Sequence, residues 1–249
     1  MNLEQLKNYN IFKEKLLSLE LLKNQGFNNI SYLLKTAKKS YIIRVFKSND
    51  SVNISREFEY KIQKKAYKKD ITSRPIFLNE EFMIYEYTKG IHKSKLSKIE
   101  LKNLVIKIKT FHKFKTDEKP YNLKKDLENY SKKLSSQKSK KLINKSLKSI
   151  KKLEKYKYEP VLSHHDLNPK NIIFDKNSLK IIDWEYAGVN DRFFDLACVC
   201  VEFKLTKDEE KIVFHNYFKN SRKYHQIKLK HYKIIYDSFC KLWFEANCF

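Results

Sequence analysis

Glycine is almost missing from this chain, with three in 249 residues, at positions 26, 90 and 188. A residue kept this rarely marks backbone that needs φ > 0 or a close approach, so Gly26, Gly90 and Gly188 are expected at bends. Arginine is scarce in another way. Of 53 basic residues only Arg44, Arg56, Arg74, Arg192 and Arg222 are arginines, and the lysines are spread along the whole chain. A dedicated nucleic-acid reader relies on the bidentate guanidinium. The formal charge of +24 is therefore read as a general lysine bias, and no specific nucleic acid is expected as a partner. A basic nucleic-acid-binding protein remains the non-enzyme alternative. The four cysteines, Cys198, Cys200, Cys240 and Cys248, form no CxxC pair and show no zinc spacing. They read as thiols of a reducing cytoplasm, with Cys248 exposed beside the terminus. No apolar run approaches the roughly 18 residues of a membrane span. The start, MNLEQLKNYN, lacks the basic-then-apolar plan of a signal peptide, so a cytoplasmic location is expected. Nothing in the sequence sets an oligomeric state.

A core, by contrast, is well provided for. Apolar residues make up 41% of the chain and aromatics 14%, which excludes a wholly disordered protein. The length suits one large domain or two lobes. Over the first 22 residues Leu3, Leu6, Phe12, Leu16 and Leu19 have helical spacing. Residues 30–36 and 40–46 read as strands joined at Ala37-Lys38-Lys39, the second with Tyr41, Ile43 and Val45 on its apolar face and Arg44 on the other. A helix is expected over 54–67 with Phe58, Ile62 and Ala66 on one face. A hairpin over 74–78 and 82–87 turns at Asn79-Glu80.

From Ser97 onward the pattern becomes helical. One stripe runs Leu101, Leu104, Val105, Ile108 and Phe111. A second runs Leu123, Leu127, Tyr130 and Leu134, then Leu142, Leu147 and Ile150 after a polar break at Ser135-Ser136. The lysines of this helical pair read as a solvated face. Three further helices are expected over 193–203, 209–218 and 227–244. A sheet-rich front and a helix-rich rear predict an α+β chain of two lobes, residues 1–90 and 91–249. The front lobe is a small antiparallel sheet with one helix, and the rear lobe is larger and mainly helical.

The chemistry concentrates at residues 163–185, SHHDLNPKNIIFDKNSLKIIDWE. There Asp166, Asn171 and Asp183 follow one another at intervals of five and twelve residues, separated by a loop and a short hairpin. Magnesium-dependent phosphoryl transfer needs a carboxylate beside the acceptor hydroxyl and two oxygen ligands for the metal. These three residues supply that set, which marks a phosphotransferase.

The segments HHDLNPKN and IIDWEYAG, followed by Asn190-Asp191 and Asp195-Leu196-Ala197, resemble the choline kinase and aminoglycoside phosphotransferase family. The likeness is greatest to its small bacterial choline kinases. It implies the two-lobed protein-kinase-like fold, with ATP (GTP not excluded) and Mg²⁺ as cofactors. On this resemblance Asp166 is the catalytic base, Asn171 and Asp183 hold magnesium, and His164 and Asp195 brace the loop. Arg44 takes the place of the phosphate-contacting basic residue, oriented by Glu59 or alternatively Glu57. Residues 25–32, with Gly26, form the loop over the phosphates, and Glu86 and Tyr87 form the hinge that meets the purine through backbone hydrogen bonds.

The acceptor is expected to be small. Asp183 is followed within a dozen residues by Asp195-Leu196-Ala197, which leaves no room for a peptide platform, and His165 stands where protein kinases carry arginine. A quaternary ammonium needs aromatic faces and a carboxylate. The resemblance places Tyr186, Glu202 and Trp243 at such a cage, with Cys240 where a further tryptophan is expected; plain core packing is the other reading of Trp243. The expected substrate is choline or a similar cationic amino-alcohol. Thiamine or an aminoglycoside is the alternative. His112, on the apolar stripe, reads as a satisfied core histidine.

Overall fold

The computed structural model describes residues 1–23, 25–47, 54–176 and 178–247; Cys248 lies outside them. The chain divides into two compact units, one of residues 1–91 with 173–186, the other of residues 92–172 with 187–249. The stretch 173–186, expected in the rear lobe, thus packs with the first unit.

The first unit is built on a five-stranded antiparallel sheet. Its strands are β1 (Leu16–Leu21), β2 (Asn29–Thr36), β3 (Ser40–Phe46), β4 (Pro75–Leu78) and β5 (Phe82–Glu86), in the order β1-β2-β3-β5-β4. Leu34, Tyr41, Ile43, Phe82 and Ile84 form a core that Leu6 joins from helix α1 (Leu3–Asn8). The opening helix is shorter than its leucine spacing predicts. An Asn2/Gln5 capping box starts it, and the left-handed Asn10 (φ 53°) follows its end. Leu16 and Leu19 then belong to β1, where a spacing of three is not diagnostic of helix. In β3 both faces are covered, because Ile42 and Arg44 are buried as well as Tyr41 and Ile43.

Helix α2 (Arg56–Tyr67) is capped by the Ser55 hydroxyl accepting from Phe58 N–H. Its buried face is Arg56, Glu59, Ile62, Gln63 and Ala66, more polar than expected, with Phe58 only half-buried. Strands β6 (Pro160–Ser163), β7 (Ile172–Asp175), β8 (Ser178–Ile181) and β9 (Gly188–Asp191) follow, β7 pairing with β8 and β6 with β9. Within the first unit, Ile181 N–H donates to the Ile71 carbonyl, while Ile91 and Phe174 exchange backbone hydrogen bonds at 2.9 Å.

Gly90 is required beside that exchange. Its φ is 149°, and a Cβ there would lie 2.6 Å from Ile173 Cγ2 and closer still to the Phe174 carbonyl oxygen. Gly26 differs: it has no left-handed φ, and a Cβ would meet nothing within 4 Å.

The second unit carries helices α3 (Lys98–Phe111), α4 (Leu123–Lys133), α5 (Gln137–Leu153), α6 (Phe193–Glu202), α7 (Lys207–Tyr217) and α8 (Lys223–Asn247). Leu101, Leu104, Val105, Ile108 and Phe111 are all buried, as the stripe on α3 predicts. Helix α6 is buried over Phe193–Cys200, and α5 and α6 both pack on α8. Among the described residues no helix is long and apolar enough to cross a membrane.

Candidate active site

In the second unit, chain leaving β6 enters a loop held from beneath by one carboxylate. Asp195, in the first turn of α6 and fully buried, accepts from His164 N–H at 2.8 Å and His165 N–H at 2.9 Å. His112 Nε2 lies 3.0 Å from the same carboxylate, and its Nδ1 lies 2.6 Å from the Tyr217 hydroxyl. Burial alone would raise the Asp195 carboxyl, but the His112 hydrogen bond and the loop amides keep it below its ordinary value. His165 takes a left-handed φ of 69° at a bend of the loop, a conformation that histidine adopts more readily than most side chains. Leu167 N–H points at Cys198 Sγ, 3.1 Å away.

This frame presents Asp166. Its Oδ1 accepts from Asn168 Nδ2 at 2.8 Å and its Oδ2 from Asn171 Nδ2 at 2.7 Å. Asn171 Nδ2 also reaches the Asp166 carbonyl at 2.9 Å. Asn171 ends a 3₁₀ turn, Pro169–Asn171, whose start is capped by the Asn168 side chain. Since the Asn171 amide nitrogen is spent on Asp166, its Oδ1 is left as a hard oxygen ligand, a donor type that suits magnesium.

In the first unit a network of buried charge surrounds Arg44. Its Nη1 lies 2.5 Å from Asp183 Oδ1, and its Nη2 pairs with Glu59. Arg56 Nη1 reaches Glu59 Oε2 at 3.2 Å and Glu185 Oε2 at 3.0 Å, while its guanidinium lies over the Phe46 ring. Asn29 Nδ2 (2.8 Å) and Asn28 Nδ2 (3.0 Å) donate to the two Glu185 oxygens, and Asn28 also contacts the Tyr186 hydroxyl at 2.7 Å. Desolvation opposes the charge on Arg44, but the fields of Glu59 and Asp183 reverse this and raise its pKa well above the ordinary value. Glu185 is also held ionised: burial raises it, and Arg44, Asn29, Asn28 and Arg56 more than compensate. Two guanidinium groups thus face three carboxylates, leaving one net negative charge in the cluster. Asp183 has φ 63°, and its side chain is the most exposed of the three carboxylates, at 33%. No three His, Cys, Asp or Glu side chains gather into a metal cage among the described residues.

A model of the family described as "Phosphotransferase enzyme family" matches residues 22–228. The chain belongs to the phosphotransferase enzyme family. Among curated proteins, this phosphotransferase is 26% identical to the Protein LicA homolog of Mycoplasma capricolum over 186 residues, 72% of this chain and 73% of that one. It is 35% identical to Protein LicA of Haemophilus influenzae over 85 residues, and the match spans about a third (32%) of each chain. Its fold is kinase-like. The choline kinase LicA of Streptococcus pneumoniae superposes with a TM-score of 0.79 at 24% identity, covering 96% of this chain and 89% of that one. A spectinomycin phosphotransferase superposes with a TM-score of 0.71 at 14% identity, covering 94% and 85%.

The other expected site residues of the phosphotransferase vary in how they are placed. Glu59, not the exposed Glu57, is the helix carboxylate that meets Arg44. Gly26 lies in a loop whose fixed point is instead Gln25, which accepts from Ser31 N–H at 2.7 Å and donates to the Leu22 and Ser31 carbonyls. Glu86 and Tyr87 end the sheet, but their N–H groups already donate to Arg74 and Ser40 carbonyls at 2.8 and 3.0 Å. Neither amide is left for a purine. Tyr186 belongs to the Glu185 network of the first unit, whereas Glu202 and Trp243 are in the second. There the Tyr236 hydroxyl donates to Glu202 Oε1 at 3.0 Å, and Trp243, half-buried, meets Phe244 edge-on at 5.4 Å. No ion pair involves Glu202 among the described residues, in a chain with 53 basic side chains.

Sequence reasoning missed Arg56, Asn28 and Asn29 as supports, whereas His112 is the satisfied core histidine that its place on the apolar stripe predicts. For Arg56 a signal existed: it is one of only five arginines and lies one helical turn before Glu59.

Proposed function

We propose that this phosphotransferase moves the γ-phosphoryl group of Mg-ATP to the hydroxyl of choline or a similar cationic amino-alcohol. The observation that carries the reading is the Asp166–Asn171 pair: one amide nitrogen bonds both the backbone and the carboxylate of Asp166, so a base and an oxygen ligand share one rigid turn. Asp166 would orient the acceptor hydroxyl and take its proton as that oxygen bonds to the γ-phosphorus, while the bond from that phosphorus to the β–γ bridging oxygen breaks and the nucleoside diphosphate leaves. A positioned general base contributes about 10²–10⁴-fold. Magnesium, held by Asn171 and Asp183, would supply neutralisation of phosphate charge. Arg44 would keep Asp183 in place and add a fixed positive charge close by.

The acceptor reading rests on Glu202. Its carboxylate is oriented by Tyr236 and has no lysine or arginine partner among the described residues, so it would be available to a substrate cation, with Trp243 as the aromatic face. The likeness to LicA proteins supports the same class. The test is turnover of purified protein with Mg-ATP, and separately Mg-GTP, against choline, ethanolamine, thiamine and kanamycin, alongside Asp166→Ala. Preference for choline, abolished by Asp166→Ala, is the expected result. Turnover unchanged in Asp166→Ala overturns the mechanism, and equal use of all four acceptors overturns the assignment to Glu202.

A further inference from the structure

Helix α5, QKSKKLINKSLKSIKKL, is alone among the eight helices of the described residues in having no acidic residue. Its seven lysines, Lys138, Lys140, Lys141, Lys145, Lys148, Lys151 and Lys152, are all exposed. None of them makes an ion pair among the described residues; the acid nearest in sequence, Glu154, is paired instead with Lys124 of α4. Five lysines, at 138, 141, 145, 148 and 152, recur at intervals of three and four. At about 100° per residue they fall within an arc of about 80°, and at about 1.5 Å per residue they form a line about 21 Å long. The other side of the helix, Ser139, Ile143, Ser146, Ser149 and Leu153, is buried. Packing against α8 therefore fixes the direction in which the lysines point.

A straight, unpaired cationic line on a rigid helix is a docking surface for an anion that is itself extended. We infer that α5 binds an anionic phospholipid surface peripherally, through headgroup phosphates and without insertion. Two observations favour a lipid surface over a nucleic acid. The stripe contains no arginine for bidentate phosphate or base contacts, and no aromatic ring on which a base could stack. Lysine, a hydrated point charge, suits a diffuse negative surface, where attraction acts within a Debye length of about 8–10 Å. The half-exposed Leu147 lies well off the stripe, so nothing apolar on that face enters the acyl region.

The experiment is cosedimentation of the full chain with vesicles of 30% phosphatidylglycerol in phosphatidylcholine, compared with phosphatidylcholine alone. The chain should bind the anionic vesicles only, and 0.5 M salt should release it. The triple variant Lys141→Gln/Lys145→Gln/Lys148→Gln should bind at least about tenfold more weakly. A control of equal charge change, Lys61→Gln/Lys68→Gln/Lys69→Gln on and just after α2, should change binding less than about twofold. Thermal melts of both variants verify folding, and single Lys145→Gln and Lys148→Gln variants, each expected to weaken binding, replace the triple if it melts early. Equal losses in stripe and control variants overturn the inference, because binding then follows net charge. Absence of binding to anionic vesicles also overturns it. So does RNA that binds more tightly than the vesicles at the same salt.

Discussion

Arg44 and Asp183, 139 residues apart in the chain, meet at 2.5 Å between Nη1 and Oδ1. The other arm of the same guanidinium pairs with Glu59, so a single planar cation sets the spacing of two carboxylates from different elements. Only 3% of Arg44 is exposed, and water cannot replace it.

Arg44→Ala should therefore be severe. It would leave Glu59, Glu185 and Asp183 with Arg56 as the single cation of the cluster. Loss of one partner from a buried pair costs about 3–5 kcal/mol, readable in urea denaturation. Arg44→Lys should retain more stability but lose most activity, since one ammonium cannot span both carboxylates as the fork does. Equal kcat in Arg44→Lys and wild type would show that the spacing does not matter.

Gly90→Ala should destabilise the first unit. The residue sits at φ 149°, and its Cβ would meet the Phe174 backbone carbonyl, which has no rotamer by which to move aside. Strain of this kind costs about 1–3 kcal/mol. Gly26→Ala is the matched control and should be nearly neutral, because its Cβ would enter open space. A differential-scanning comparison of the two variants checks this.

His112→Phe should slow catalysis with little change in KM for nucleotide. It removes the donor to Asp195, the carboxylate that holds both His164 and His165 amides, while keeping a ring in the core. A displacement of about 1 Å at a positioned base costs up to about 10²-fold in rate. His112→Gln, which can still donate, should recover part of kcat. If the two variants behave alike, His112 acts through packing only.

Asp126→Asn should raise stability, and the gain should depend on pH. Burial raises the Asp126 carboxyl from 3.8 to about 6. The folded chain therefore binds its proton more tightly than the unfolded chain, and stability falls as pH rises from about 4 through about 6. Asparagine carries no such cost. The variant should match wild type near pH 4 and exceed it above pH 6.5, with an upper bound of about 3 kcal/mol from the shift. Melting curves at pH 4, 5, 6 and 8 test the sign.

Much of the fold was legible because its elements are amphipathic in the ordinary way. The stripe Leu101–Phe111 buries one regular face of α3, so periodicity located it, and β3 was legible from its apolar run although both of its faces are covered. Legibility failed where burial was bought with charge. Arg56 and Gln63 look like a solvated flank of α2, yet they are on its inward face: Asn29 and Glu185, which only the tertiary fold brings near, meet Arg56, and Gln63 donates to Glu59 within the helix. The first 22 residues misled for a different reason: leucines spaced by three fit a helix, but the helix ends at Asn8 and the left-handed Asn10 follows it, well before Leu16. The pairing of Asp166 with Asn171 was readable because its spacing is local. The blocked amides of Glu86 and Tyr87 were not, since they depend on partners at Arg74 and Ser40.

The return of residues 173–186 to the first unit has a consequence for how the chain is made. Arg44 and Arg56 are translated early, but their partners Asp183 and Glu185 arrive well over a hundred residues later. Until residue 186 has emerged, Glu59 is the one carboxylate of the cluster that faces the two guanidinium groups, which leaves a positive charge uncompensated in an incomplete interior. Residues 1–91 expressed alone would remain in that condition permanently.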